Sequence, residues 1–119
     1  MGRGFKELLV WQKSRDLAVL IYKITNDDDF KKDFSLRDQI RRSAVSVPSN
    51  IAEGDERDTD KDSIRFFFIA KGSLAELRTQ IEIAYRIGYI EENVFKGIED
   101  KAIEIGKMLG ALIKSRSAN

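Results

Sequence analysis

The side chains with most chemistry to offer in this chain of 119 residues stand in two short polar runs. The first is Arg41-Arg42, followed by Ser43, Ser46, Ser49, Asn50 and Glu53. Positions 42, 46, 49 and 53 share one helical face. The second is Gly72-Ser73 with Glu76 and Gln80, again one stripe at helical spacing. Hydroxyls, amides and carboxylates set among apolar residues can satisfy one another as a buried network that fixes how two helices pack. Ser46, Asn50, Glu53, Ser73 and Glu76 are the expected members, and the small Gly72-Ser73 step would let the helices approach closely. The same residues could instead line a small-ligand or anion site. A third set is cationic: Arg37, Arg41 and Arg42, then Arg57, Lys61 and Arg65. Arg37 and Arg41 share a face, as do Lys61 and Arg65, and the guanidinium fork suits phosphate. Arg37, Arg41, Arg42, Lys61 and Arg65 are therefore the candidate nucleic-acid contacts. Acidic residues are interleaved (Asp38, Asp55, Glu56, Asp58, Asp60, Asp62), as on a surface that serves only solubility.

Several chemistries are closed to the chain. It has no His and no Cys, which removes imidazole acid–base catalysis, thiol nucleophiles, disulfides and the Glu-x-x-His pairs of di-metal bundles. An all-carboxylate site from Glu53, Glu76 and Glu82 has no supporting spacing. No Gly-rich phosphate loop precedes a helix. The expectation is a non-enzymatic protein with no cofactor and no metal. The Asp27-Asp28-Asp29 run reads as a solvated loop, since a calcium loop needs ligands spread over a longer, Gly-containing stretch. With 21 basic and 20 acidic residues the net charge is +1, so no global field draws the protein to nucleic acid or membrane. The longest unbroken apolar run is Phe66 to Ala70, far short of the ~20 residues of a membrane span. Gly2 is followed by Lys6 where a myristoylation signal has Ser or Thr. A cytoplasmic protein is expected.

The elements that carry these residues are helical throughout. Val10, Ser14, Leu17, Ile21 and Ile24 step by four and three, and so do Phe67, Ala70, Leu74, Leu77, Ile81 and Ala84. Phe95, Ile98, Ala102, Ile105, Leu109 and Leu112 repeat the pattern, and Leu36, Ile40, Ala44, Val47 and Ile51 follow it more loosely. Such seams pack near-parallel helices. The sequence thus predicts an all-α, antiparallel, up-and-down four-helix bundle, one domain over residues 1–119, with helices at about 10–25, 36–56, 60–87 and 91–115. Ser35 with Asp38 would cap the second helix, Thr59 or Asp60 the third, and Gly88 would end the third. Pro48 deletes one hydrogen bond inside the second helix, which either kinks there or stops near Val47 and restarts; the apolar register running on to Ile51 favours a kink.

The helices have more apolar surface than one seam each. Phe66, Phe68, Ile69, Ile83, Tyr85 and Ile87 flank the third seam; Ile103, Met108 and Ile113 flank the fourth; Trp11, Ala18 and Tyr22 flank the first. A helix apolar on two sides is buried on two sides. Either the core is wide, or copies of the chain associate; large exposed apolar patches are uncommon on monomers.

Three stretches carry a resemblance: Leu9-Val10-Trp11-Gln12-Lys13-Ser14; Gln39 through Gly54, reading QIRRSAVSVPSNIAEG; and Ile69 through Leu77, with Ile87-Gly88-Tyr89-Ile90 beyond. The chain resembles the bacterial four-helix bundle proteins encoded in 23S rRNA intervening sequences, over roughly Phe5 to Leu112. It is also similar to the accessory variability determinant of diversity-generating retroelements, a pentameric barrel that binds nucleic acid. The resemblance implies a homopentameric ring and establishes no catalytic residues. It places Asn50, Glu53, Gly54, Gly72, Ser73 and Glu76 within the family pattern. The functional expectation is an oligomeric binding or scaffold protein with RNA or another nucleic acid as candidate partner. The rival is a structural or protein-interaction module that binds no nucleic acid.

Overall fold

A computed structural model of the chain describes residues 4–117. A 3-10 turn at Phe5–Glu7 leads into α1 (Leu9–Ile24), the short α2 (Asp28–Lys32), α3 (Phe34–Asp55), α4 (Asp60–Arg86) and α5 (Glu92–Ser117), with no strand among the described residues. The four long helices form a closed ring of contacts: α1 on α3, α3 on α4, α4 on α5, and α5 back on α1. The bundle is 46 Å long and 20 Å across. That length matches α4, whose 27 residues span about 40 Å at 1.5 Å each.

The seams fill the core. Val10, Leu17, Ile21, Ile40, Val47, Ile51, Phe67, Leu74, Leu77, Ile81, Ile98, Ile105 and Leu109 are all buried, as are Ala44, Ala70, Ala84 and Ala102. Several residues read as second-face positions are at least partly covered instead. Ala18 is in the core, Tyr85 is half-buried and stacks on Phe95 at 4.7 Å, and Phe66 is half-buried.

The Asp run differs from the expected open loop. Its carboxylates are solvated, but residues Asp28–Lys32 form one helical turn. Asp27 caps it by accepting from the Phe30 N–H at 3.2 Å, and its acidic start and Lys31-Lys32 end suit the helix dipole. The turn delivers Phe30 into the core, fully buried, edge-on to Tyr89 at 5.2 Å.

The expected Ser35 cap is also corrected. Asp33 caps α3 through Oδ1, which accepts from the Leu36 N–H at 3.1 Å, so the helix starts at Phe34. Ser35 lies in the first turn and accepts from Gln39, while Asp38 pairs with Arg37. The other Asp33 oxygen, Oδ2, accepts from the Tyr89 hydroxyl at 2.9 Å. That hydrogen bond, then burial, then the charges of Asp33 and Asp29 hold the Tyr89 pKa above its ordinary value. A folded pKa above the unfolded one means that Tyr89 contributes stability below the unfolded phenol value of about 10, lost as pH rises through the folded value. In Asp33→Ala, the Tyr89 titration followed by ultraviolet absorbance, with Tyr89→Phe to identify the step, is expected to fall back to the ordinary range. Loss of the cap alone costs about 1 kcal/mol. An unmoved titration contradicts the assignment.

α3 runs unbroken from Phe34 to Asp55 with Pro48 buried inside it, so the stop-and-restart alternative is excluded. α4 opens on Thr59, whose hydroxyl accepts from the Asp62 N–H at 3.2 Å. It closes at Gly88, with φ +89°, where Tyr89 N–H bonds Ala84 O at 2.8 Å and Gly88 N–H bonds Tyr85 O at 3.0 Å. This pair of bonds is a Schellman end, and the positive φ requires glycine.

Candidate functional site

The two polar runs meet along the α3–α4 seam. Ser46 Oγ and Ser73 Oγ lie 2.8 Å apart, and Asn50 Nδ2 donates to Ser46 Oγ at 2.9 Å and to Ser46 O at 2.8 Å. Further along, the Ser43 hydroxyl donates to Gln80 Oε1 at 2.7 Å. These contacts fall at lower numbers on α3 as they rise on α4, and they open onto a groove of about 530 Å³. Gln39, Arg42, Ser43 and Ser46 form one wall, Ser73, Glu76 and Gln80 the other.

Two expected members of the network stand outside it. Glu53 is exposed and accepts from Arg57, four residues on, at 2.9 Å. An exposed residue on α3 is better satisfied by a flexible neighbour than by a partner across the seam. Glu76 sits on the groove wall and has no hydrogen bond or ion pair among the described residues. Gly72 is corrected too: it is exposed, and a Cβ there would meet nothing within 4 Å. The close approach is at Gly54, where a Cβ would lie 2.6 Å from Phe67 Cε1 and 2.9 Å from Ser63 O.

The candidate phosphate contacts do not form one surface. Arg37 pairs with Asp38 at 3.2 Å and covers the Phe34 ring at 4.9 Å. Arg41 turns toward α1, donating to Thr25 Oγ1 at 2.8 Å while lying 4.5 Å over the Tyr22 ring. Arg42 is exposed on the groove. Lys61 is exposed at the start of α4, and Arg65 lies 4.8 Å over Phe66, whose ring Arg57 approaches at 4.5 Å. Because Gly54 abuts Ser63, Lys61 and Arg65 sit by the end of α3. That end is twelve residues, or about 18 Å, from Arg42.

Long side chains that bridge helices are not visible in spacing. Arg116 reaches Asp55 at 3.0 Å, both largely buried, and lies 5.4 Å over Phe67. Arg78 pairs with Glu99, and Lys13 with Glu104 at 2.9 Å. Of the conceivable carboxylate set, Glu53 pairs with Arg57, just past the end of α3, and Glu82 with Arg86 on α4. No three acidic residues among those described gather to hold a metal ion. No helix among the described residues is long and apolar enough to cross a membrane.

The outward face of α4 is apolar near both its ends. Phe68, Ile69, Ile83 and Ile87 are 55%, 43%, 46% and 53% exposed, with Gly72, Glu76 and Thr79 between them on the same face. Ile103 of α5 and Tyr22 of α1 are also exposed, whereas Trp11, Met108 and Ile113 pack partly against the core.

By fold, the described residues are an all-helical bundle of four long helices. Residues 6–111 match the 23S rRNA-intervening sequence protein family, and the chain belongs to it. A solved structure from Bacteroides thetaiotaomicron, of a protein of unknown function from the S23 ribosomal protein family, is similar. It is 31% identical, covers 89% of this chain and 99% of its own, and superposes with a TM-score of 0.82. No curated protein matches the chain.

Proposed function

We propose that this protein is a non-enzymatic cytoplasmic scaffold that assembles with copies of itself, five in number by the family resemblance. The outward face of α4 carries this reading: three large apolar side chains of the longest helix, with Ile87 at its C-cap, are each roughly half exposed on one side. Isolated exposed apolar residues are ordinary, but several on one face point to a partner surface. Assembly would also repeat each modest charged patch around the ring, which raises affinity for an extended polymer through multivalency. The mass of the protein in solution tests the assembly.

A second reading, binding of RNA or another nucleic acid, is favoured by Arg42 and Lys61, the two candidate cations with no carboxylate, hydrogen bond or aromatic ring against them among the described residues. Binding of a labelled structured RNA and a DNA duplex is expected at low salt. It should weaken by orders of magnitude between about 50 and 200 mM salt if several phosphates are contacted, and should be lost in Arg42→Ala/Lys61→Ala. Absence of binding at the lower salt removes this reading and leaves the scaffold.

A further inference from the structure

Among the described residues, Arg42 is the one arginine with no carboxylate, hydrogen bond or aromatic ring against it; Arg15, Arg37, Arg41, Arg57, Arg65, Arg78, Arg86 and Arg116 each have at least one. Glu76, on the opposite wall of the same groove, is likewise without a partner, and the two do not bridge each other. Two opposite charges that face one space without meeting are suited to a molecule that carries both signs.

The floor between them has donors to spare. Ser46 and Ser73 bring two hydroxyl protons to their shared hydrogen bond, and Asn50 already donates to Ser46 Oγ. One proton is used between the two oxygens. The other has no acceptor, whichever way the bond runs. The single Ser43 hydroxyl proton faces Gln80 Oε1 at 2.7 Å and Ile40 O at 3.1 Å, and the Gln80 amide N–H groups stay as donors. The groove therefore offers a guanidinium, a hydroxyl proton and an amide to an oxyanion, and a single carboxylate to an ammonium. A simple anion would meet Glu76, and a simple cation would meet Arg42. One carboxylate is too few for a metal ion. The space of about 530 Å³ is within the range of small-molecule sites and exceeds one amino acid.

We propose that the α3–α4 groove binds a small polar zwitterion, a free amino acid or short peptide, with its carboxylate on Arg42 and its ammonium on Glu76. Ligand-observed saturation-transfer NMR on the full chain tests this with L-serine and glycylglycine, and with acetate and methylammonium as half-ligands. Saturable binding of a zwitterion is expected, weakened roughly tenfold by Arg42→Gln and by Glu76→Gln separately, as befits charge-assisted contacts. Neither half-ligand should match it. Both replaced side chains are exposed, so the variants should keep the parent circular dichroism and melting temperature. The assignment is overturned if no zwitterion binds saturably, if acetate binds as well as glycylglycine, or if binding survives both substitutions unchanged.

Discussion

Gly54→Ala is expected to destabilise the protein by about 1–3 kcal/mol, although alanine normally improves a helix. In an open helix the exchange gains about 1 kcal/mol. Here the added methyl would sit 2.6 Å from Phe67 Cε1, 2.9 Å from Phe67 Cδ1 and 2.9 Å from the Ser63 carbonyl oxygen. The ring is fully buried in the core and the carbonyl belongs to α4, so neither can yield without moving the seam. Phe67→Ala alone should cost about 3–5 kcal/mol by leaving a cavity. The double variant should cost less than the sum, because removing the ring relieves part of the clash; neighbouring sites couple in this way. Gly72→Ala is the internal contrast. Its Cβ enters open space and its φ is not positive, so it should be neutral or stabilising by up to about 1 kcal/mol. Urea midpoints with unchanged slopes measure all four. A Gly54→Ala protein as stable as the parent would refute the close approach of α3 and α4.

The second large effect is on assembly. Ile83→Asp/Ile87→Asp should reduce the protein to single chains while leaving its helix content intact. Both side chains stand about half exposed on the isolated bundle, so the substitutions remove little core packing. Across an interface they would place carboxylates in apolar contact, and each unpaired buried charge costs several kcal/mol. Arg86, the nearest cation on the same helix, already pairs with Glu82 at 3.6 Å. The pair changes the net charge from +1 to −1, so Ile83→Asn/Ile87→Asn serves as the neutral control and should also dissociate. Aspartate variants that keep the parent mass would place any self-association elsewhere.

How much of this was legible in the sequence depends on the range of each interaction. The long-helix seams could be read because every core position repeats at three or four residues, from Val10 to Leu109. α2 could not, since a five-residue helix buries one apolar residue, Phe30, and one residue has no period. Asp33 and Ser35 are equally good capping types two positions apart. Only Asp33 also meets Tyr89, which lies 56 residues away and engages the second Asp33 oxygen. The polar runs were visible as stripes, but which members meet was not. Ser46 and Ser73 face each other, whereas Glu53 and Glu76 lie off the line of contact. Gly54 and Gly72 look alike as letters; only the packing of Phe67 separates them. Arginines were the least legible. Their long side chains cross between helices, so Arg41 reaches Thr25 and Arg116 reaches Asp55, and spacing along one helix says nothing about either.

Self-assembly is tested by analytical ultracentrifugation of the unaltered protein from below to well above micromolar concentration, alongside Ile83→Asp/Ile87→Asp. The parent is expected at a multiple of the 13.6 kDa chain mass, five-fold in the proposed ring, and the variant at one chain. A parent protein that sediments at 13.6 kDa across the whole range would contradict the scaffold and leave the α4 face without a role.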